Sequence, residues 1–284
     1  MIRKIQDSVR YFKQKKYLEK DIHDYIGLPE KIFNDLEAVF VLSTGRAGTD
    51  LLTRLFRLNR NNFVLHEPIP DLVYAAKGAY NLGQQGLVAR KLGITSSRYH
   101  LFKECYLRGL VYIETNNKLT FFADALYDLL PKSRFIHLIR DPRAFVRSAV
   151  RRGYYQGHDF DDGRITPQNI NEEEWKNFSP IQKNGWLWNE TNMVIEGFIQ
   201  KFDTNRILKI YSEDLFKDPT TLQHISGFID QPPSKLNQIE KILRKPVNQQ
   251  LKNDFPLFNK WEISAQETLR SITPLAIKYG YWDI

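Results

Sequence analysis

The apolar residues of this chain come in short runs set between longer stretches of helical spacing. Runs at Ala38–Ser43, Asn62–His66, Tyr99–Glu104, Arg134–Ile139 and Arg206–Tyr211 predict strands. The first, AVFVLS, is apolar up to its last residue, as expected of a strand covered on both faces in a parallel sheet. Helical periodicity predicts helices over Thr49–Leu58, Leu119–Leu130, Pro142–Arg152, Pro180–Phe202 and Thr220–Ile229. This alternation predicts one three-layer α/β/α domain on a central, mainly parallel sheet, spanning residues 38–284.

Three segments break the rhythm. Residues 1–37 carry Arg3, Lys4, Arg10, Lys13, Lys15, Lys16 and Lys20 around Ile5, Val9, Phe12 and Tyr17. They are expected to form a helical extension packed on the main domain, with peripheral membrane contact or acceptor binding as the other reading of its basic face. Gly153–Ser179 collects Asp159, Asp161, Asp162 and Glu172–Glu174 among Gly, Pro and Asn, and predicts a loop excursion that acts as a lid. From Gln231 onward Pro232, Pro233, Pro246 and Pro256 make the pattern irregular.

Composition narrows the chemistry. One cysteine, Cys105, in 284 residues excludes an intramolecular disulfide and a cysteine-based zinc site. A net charge of +8 attracts anions without choosing among them. Arg140, Arg143, Arg147, Arg151 and Arg152 would spread around one helix, but no nucleic-acid-binding module is recognisable, so nucleic acid is not the expected partner. No apolar run is long enough to span a bilayer and no secretory leader is visible. A soluble chain is expected, either a cytoplasmic enzyme of bacterial type or the catalytic domain of a longer protein; nothing in the sequence fixes an oligomeric state.

Two strand ends carry anion-binding chemistry. After the first strand, Ser43-Thr44-Gly45-Arg46-Ala47-Gly48-Thr49 leads into a helix, so backbone N–H groups of Gly48, Thr49 and Asp50 would face an anion at the helix start. Arg46 adds a planar cationic fork. The spacing matches neither the Gly-Lys-Ser/Thr phosphate loop nor Gly-x-Gly-x-x-Gly. After the fourth run, Arg140 stands at a strand's carboxyl end, Pro142 suits a first helical position, and Ser148 follows two turns later. Two such sites suggest a ligand with two separate phosphate groups.

These residues resemble the sulfotransferases that use 3′-phosphoadenosine 5′-phosphosulfate. Ser-x-x-Arg-x-Gly-Thr is similar to their 5′-phosphosulfate loop, and Arg-Asp-Pro-Arg-x-x-x-x-Ser, from Arg140 to Ser148, to their 3′-phosphate motif. Trp188, Tyr211-Ser212-Glu213-Asp214-Leu215 and Asp218-Pro219 also fit the family, so the resemblance covers Ala38 to Tyr281. It implies a fold like that of the P-loop-containing nucleoside-triphosphate hydrolases. It also implies sulfonate transfer to a small-molecule or saccharide acceptor, and no metal, because cationic side chains neutralise the leaving phosphate. Arg46 would touch the phosphosulfate with Ala47, Gly48, Thr49 and Asp50 around it, while Arg140 and Ser148 would hold the 3′-phosphate.

The base is less determined. Members acting on small phenols carry a histidine after a later strand, where this chain has Phe102-Lys103-Glu104-Cys105. Carbohydrate-type members carry a glutamate in a Glu-Pro pair, matched here by Glu67-Pro68. Glu67 is therefore the expected base, which would call for partial burial, and Lys103 is expected near the transferring sulfonate. His66 is a second candidate that strand alternation turns to the other face, and Glu104 a further carboxylate. Asp50, where the family has Ser or Thr, would repel a phosphate unless it pairs with Arg54 one helical turn on. Tyr154, Tyr155, Trp175, Trp186 and Trp188 offer stacking surfaces for a sugar, and the acidic lid would disfavour a strongly anionic acceptor. A P-loop kinase and a catalytically inactive nucleotide or polyanion binder are the competing readings.

Overall fold

The computed structural model describes residues 27–244 and 255–283. Most of the expected N-terminal extension lies outside them; its described end forms helix α1 (Leu28–Asp35), anchored by the buried Ile32. Five strands follow: β1 (Ala38–Leu42), β2 (Asn62–Leu65), β3 (Val111–Thr115), β4 (Ser133–Ile139) and β5 (Ile207–Tyr211). They form one sheet in the order β2-β3-β1-β4-β5, with every pairing parallel.

Strand β1 shows why the sequence is apolar at successive positions. Ala38, Phe40 and Leu42 belong to one buried cluster, with Ile32, Ile94, Phe102 and Phe135. Val39 and Val41 belong to the cluster on the other face, with Leu52, Leu55, Ile113 and Ile136. A side-chain period of two with both faces covered requires apolar residues at every position. The first face is covered by α3 (Val73–Asn81), α4 (Leu87–Leu107), α5 (Ala123–Leu129) and the far half of α8 (Pro180–Lys201). The second is covered by α2 (Thr49–Phe56), α10 (Thr220–Phe228) and α11 (Leu236–Leu243). A third cluster joins α6 (Pro142–Val150) and α8 to α12 (Ile263–Ile272) and α13 (Leu275–Lys278), through Phe145, Trp188, Leu269 and Trp282. The remaining helices are α7 (Glu172–Asn177) and α9 (Ser212–Lys217).

The strand expected at Tyr99–Glu104 is helix instead, the last part of α4, and the strand in its place is β3. Both differences have one cause. The buried face of α4 runs through Arg90, Ile94, Arg98, Phe102 and Cys105, so two arginines occupy core positions and hide the helical period. Strand β3 reads VYIET and is buried from its second residue on, with Glu114 in the interior. Arg98 and Glu114 have no exposed side-chain surface and pair at 2.9 Å. Glu114 also accepts from Tyr112 Oη at 2.6 Å and from Asn116 Nδ2 at 2.9 Å. Arg90 is likewise satisfied by Asp124 at 2.6 Å.

Removing one partner of so buried a pair leaves an uncompensated charge, so Arg98→Met should lower the unfolding free energy by about 3–5 kcal/mol in urea titrations. Acid has a second point of attack. His137, fully buried in β4, donates from Nε2 to Asn192 Oδ1 at 2.9 Å, and its Nδ1 has no partner among the described residues. Burial holds its imidazole down to about 4, from an ordinary 6.5. The unfolded chain therefore binds a proton that the folded one refuses, and stability is lost as pH falls from 6.5 toward 4. The His137 contribution should be on the order of 2 kcal/mol between pH 7 and 4.5, read as the pH-dependent stability difference from His137→Gln.

Candidate active site

The carboxyl ends of β1, β2 and β4 open on one cleft of about 630 Å³. Its floor is the β1–α2 loop. Gly48 adopts φ +98°, and a Cβ there would meet the ring of Phe216 at 3.0 Å, so the turn into α2 needs glycine. Arg46 takes φ +52° and Glu67 φ +45°, two of four non-glycine residues in the left-handed region among the described residues. Such backbone is uncommon and concentrates at functional sites. Ser212 at the start of α9 holds the loop by donating to the Ala47 carbonyl at 2.6 Å.

Arg46 and the Arg140–Ser148 motif form one unit. Arg46 Nε donates to Ser148 Oγ at 3.1 Å, and the Arg140 guanidinium donates to the Arg46 carbonyl. Arg140 is itself held through its carbonyl, which accepts from Trp188 Nε1 at 2.8 Å. Trp188 is fully buried, so its part is to seat Arg140 and not to stack on a ligand. Glu213 accepts from the Asp141 backbone N–H at 3.1 Å and from Tyr281 Oη at 2.8 Å, tying the end of β4 to the C-terminal segment.

The arginine series from 140 to 152 is gathered here: all five line the cleft. With Arg46, Lys118 and Arg164 they make, among the described residues, eight basic side chains against two acidic ones, Asp50 and Glu67. Asp50 pairs with Arg54 at 3.1 Å, as expected. Burial, and next the charge of Arg152, push the Arg46 guanidinium below its ordinary value. Burial does the same to Arg140, partly offset by Glu213. Arg152 Nε is buried and has no hydrogen-bond partner among the described residues. Cations held together with an unfilled donor fit a multiply charged phosphate ligand.

Other expectations shift. Lys103 lies in α4 and does not line the cleft; Lys118, on the 3-10 turn Asn117–Phe122 that follows β3, does. Glu104, also on α4, pairs with Arg108 at 3.2 Å. Glu67 lines the cleft, is 44% exposed and pairs with Lys118 at 3.2 Å. His66 lies one residue past β2, where strand alternation no longer applies, and lines the same cleft. Of the five aromatic residues offered for stacking, Tyr154 alone lines it; Trp175 packs edge-on against Tyr155 and Trp186.

The 153–179 excursion does form one wall, yet its cleft-facing residues are Tyr154, His158, Phe160, Gly163, Arg164 and Ile165. Asp161 is tied to Arg164 at 2.7 Å, and the α7 glutamates lie outside the lining. The wall is therefore aromatic and basic rather than acidic, which removes the argument against an anionic acceptor. Lys118 and Arg164 were missed in the sequence, and Arg152 was read only as one of a basic helical series, because nothing in their spacing sets them apart from surface cations.

Solved structures share this architecture. The sulfotransferase domain from the curacin biosynthetic pathway aligns over 88% of this chain and 99% of its own, with a TM-score of 0.55 at 16% identity. The sulfotransferase domain of the Synechococcus PCC 7002 olefin synthase aligns over 88% and 97%, with 0.52 at 16%. Sulfotransferase STF9 from Mycobacterium avium aligns over 93% and 82%, with 0.51 at 13%. This chain has the sulfotransferase fold. No protein-family model matches it, and no curated protein does. No described helix is long and apolar enough to cross a membrane, and no described group of side chains could hold a metal ion.

The crowded cations of the sulfotransferase fold's cleft should cost the ligand-free protein stability. Arg152→Met is expected to raise unfolding free energy by about 0.5–1 kcal/mol and to reduce the melting-temperature gain produced by pyrophosphate. Thermal denaturation with and without pyrophosphate measures both.

Proposed function

We propose that the protein transfers a sulfonate group from 3′-phosphoadenosine 5′-phosphosulfate to a hydroxyl, or an amine, of a carbohydrate or glycolipid acceptor. The observation that carries this reading is the contact between the two anion motifs. Arg46 reaches Ser148 while Arg140 reaches the Arg46 backbone, so one ligand spanning both would meet a 5′ site and a 3′ site of fixed separation. The donor differs from ATP in its 3′-phosphate, and Arg140 with Ser148 gives that group cationic and hydroxyl partners.

In-line transfer needs the leaving phosphate neutralised where charge develops. Arg46, with Arg152 beside it, supplies that charge on rigid backbone. The proton of the acceptor goes to the β2–α3 connection, where Glu67 and His66 both border the cleft. Tyr154, His158 and Phe160 on the excursion line the cleft with aromatic surface where a sugar would lie, one face of Tyr154 being covered by the Arg164 guanidinium.

A P-loop kinase is disfavoured because Arg46 stands in the loop and Asp50, turned to Arg54, is no hydroxyl ligand for magnesium. The same ion pair weakens the inactive-binder reading, since the carboxylate has a partner other than a bound phosphate.

Calorimetric titration decides. 3′-Phosphoadenosine 5′-phosphate should bind far more tightly than AMP or ATP with magnesium, and Arg140→Ala should cost the bisphosphate roughly 1.5–3 kcal/mol and AMP little. Binding of ATP with magnesium but not of the bisphosphate would reject the reading.

A further inference from the structure

Glu67 and His66 are adjacent in sequence, but their surroundings differ. Glu67 is 44% exposed and bound to Lys118. His66 is half-buried, and its Nδ1 lies 2.8 Å from the Thr115 carbonyl oxygen and 3.0 Å from Thr115 Oγ. A carbonyl has no proton to give, so Nδ1 must carry one and donate.

The hydroxyl contacts run the same way. Thr53 Oγ donates to the Thr49 carbonyl at 2.7 Å. Its one proton is then committed, so in the 2.5 Å contact between the Thr53 and Thr115 hydroxyls Thr115 is the donor. Thr115 Oγ is left with a lone pair toward His66. The donors of the series His66, Thr115, Thr53 lead toward Thr49, the first residue of α2, and Thr115 Oγ has the Leu65 carbonyl at 3.3 Å as a second, longer acceptor. A neutral imidazole that donates from Nδ1 keeps its lone pair on Nε2.

We propose that His66 is the general base of the reaction, taking the acceptor's proton on Nε2, with its tautomer fixed by the hydrogen-bond series through Thr115 and Thr53 to the Thr49 carbonyl. This rests on the sulfonate-transfer reading. As the acceptor oxygen bonds to sulfur, its proton passes to Nε2. The bond from sulfur to the bridging phosphate oxygen breaks, and its electron pair stays on the phosphate. The imidazolium keeps its Nδ1–H bond to the Thr115 carbonyl, which favours the charge, and Nε2 returns its proton to water in the open cleft. Glu67 then serves to hold Lys118 at the rim.

The test reads tautomer and reaction separately, with water as the acceptor. In long-range 15N–1H spectra of histidine-labelled protein, loss of one signal set in His66→Gln identifies His66 among the six histidines, and its proton is expected on Nδ1. Single-turnover release of sulfate from 3′-phosphoadenosine 5′-phosphosulfate should fall about 100-fold or more in His66→Gln. Its affinity for 3′-phosphoadenosine 5′-phosphate should stay within about threefold, showing that the variant is folded and the donor site intact. A proton on Nε2 in the unmodified protein overturns the assignment, whatever the variant does. So does sulfate release by His66→Gln at the unmodified rate, and a large loss in Glu67→Gln alongside it would move the base to Glu67. If the unmodified protein does not bind the bisphosphate, the sulfonate-transfer reading falls and takes the base with it; binding with an indifferent His66→Gln sinks the base alone.

Discussion

Two opposite charges taken wholly out of water, those of Arg98 and Glu114, set where one side of the cleft lies. Desolvating both is expensive, and the pair stands because every lone pair and donor nearby has a use. Arg98 Nε and Nη2 meet the carboxylate, Tyr112 and Asn116 complete it, and Arg98 Nη1 donates to the Pro70 carbonyl at 2.8 Å. Asn116 in turn caps the turn that carries Lys118, accepting from its backbone N–H at 3.1 Å. Pro70 belongs to the connection that carries His66 and Glu67. One buried pair therefore fixes both segments that face an acceptor.

The opposite side obeys a different constraint. Arg46, Arg140 and Arg152 are brought together by a loop, a strand end and the turn after α6, with too little negative charge among the described residues to balance. The fold tolerates this because the backbone around them is over-determined: Ser212 holds Ala47, Trp188 holds Arg140, and Arg140 holds Arg46. Rigid cations already desolvated need little reorganisation when an anion arrives, which is the arrangement that stabilises charge developing on a leaving phosphate. Stability given up there is a common feature of functional sites.

How much of this could be read from the sequence follows from where charges are buried. Strands β1, β2, β4 and β5 and helices α2, α6, α8 and α10 obey simple periodicity, and their expected bounds agree with the structure to within a residue or two. The loop with Arg46 and the motif from Arg140 to Ser148 were legible because turn chemistry and strand-end position are local properties. The exchange of helix for strand around residues 99–115 was not, because Arg90, Arg98 and Glu114 sit in core positions and a reading of apolar spacing treats them as surface. Lys103 was misplaced for that reason alone. Arg152 and Lys118 become distinctive only when distant segments meet.

Thr53 and Thr115 connect the two sides, and their chemistry argues that the connection is specific. Both are buried, at 1% and 0% exposure, beside Leu52, Ile113 and Val64. Valine would fill either position without a hydroxyl to satisfy, so packing alone gives no reason for threonine. Thr53 could be explained by its bond to the Thr49 carbonyl, a common habit of threonine in helices. Thr115 is engaged from three sides: its hydroxyl meets Thr53 on α2, the Leu65 carbonyl of β2 at 3.3 Å and His66 Nδ1, and its carbonyl accepts from His66. Two hydroxyls kept in an apolar interface, joining α2 to the end of β3 and the edge of β2, hold the orientation of a single imidazole at the edge of a cationic cleft.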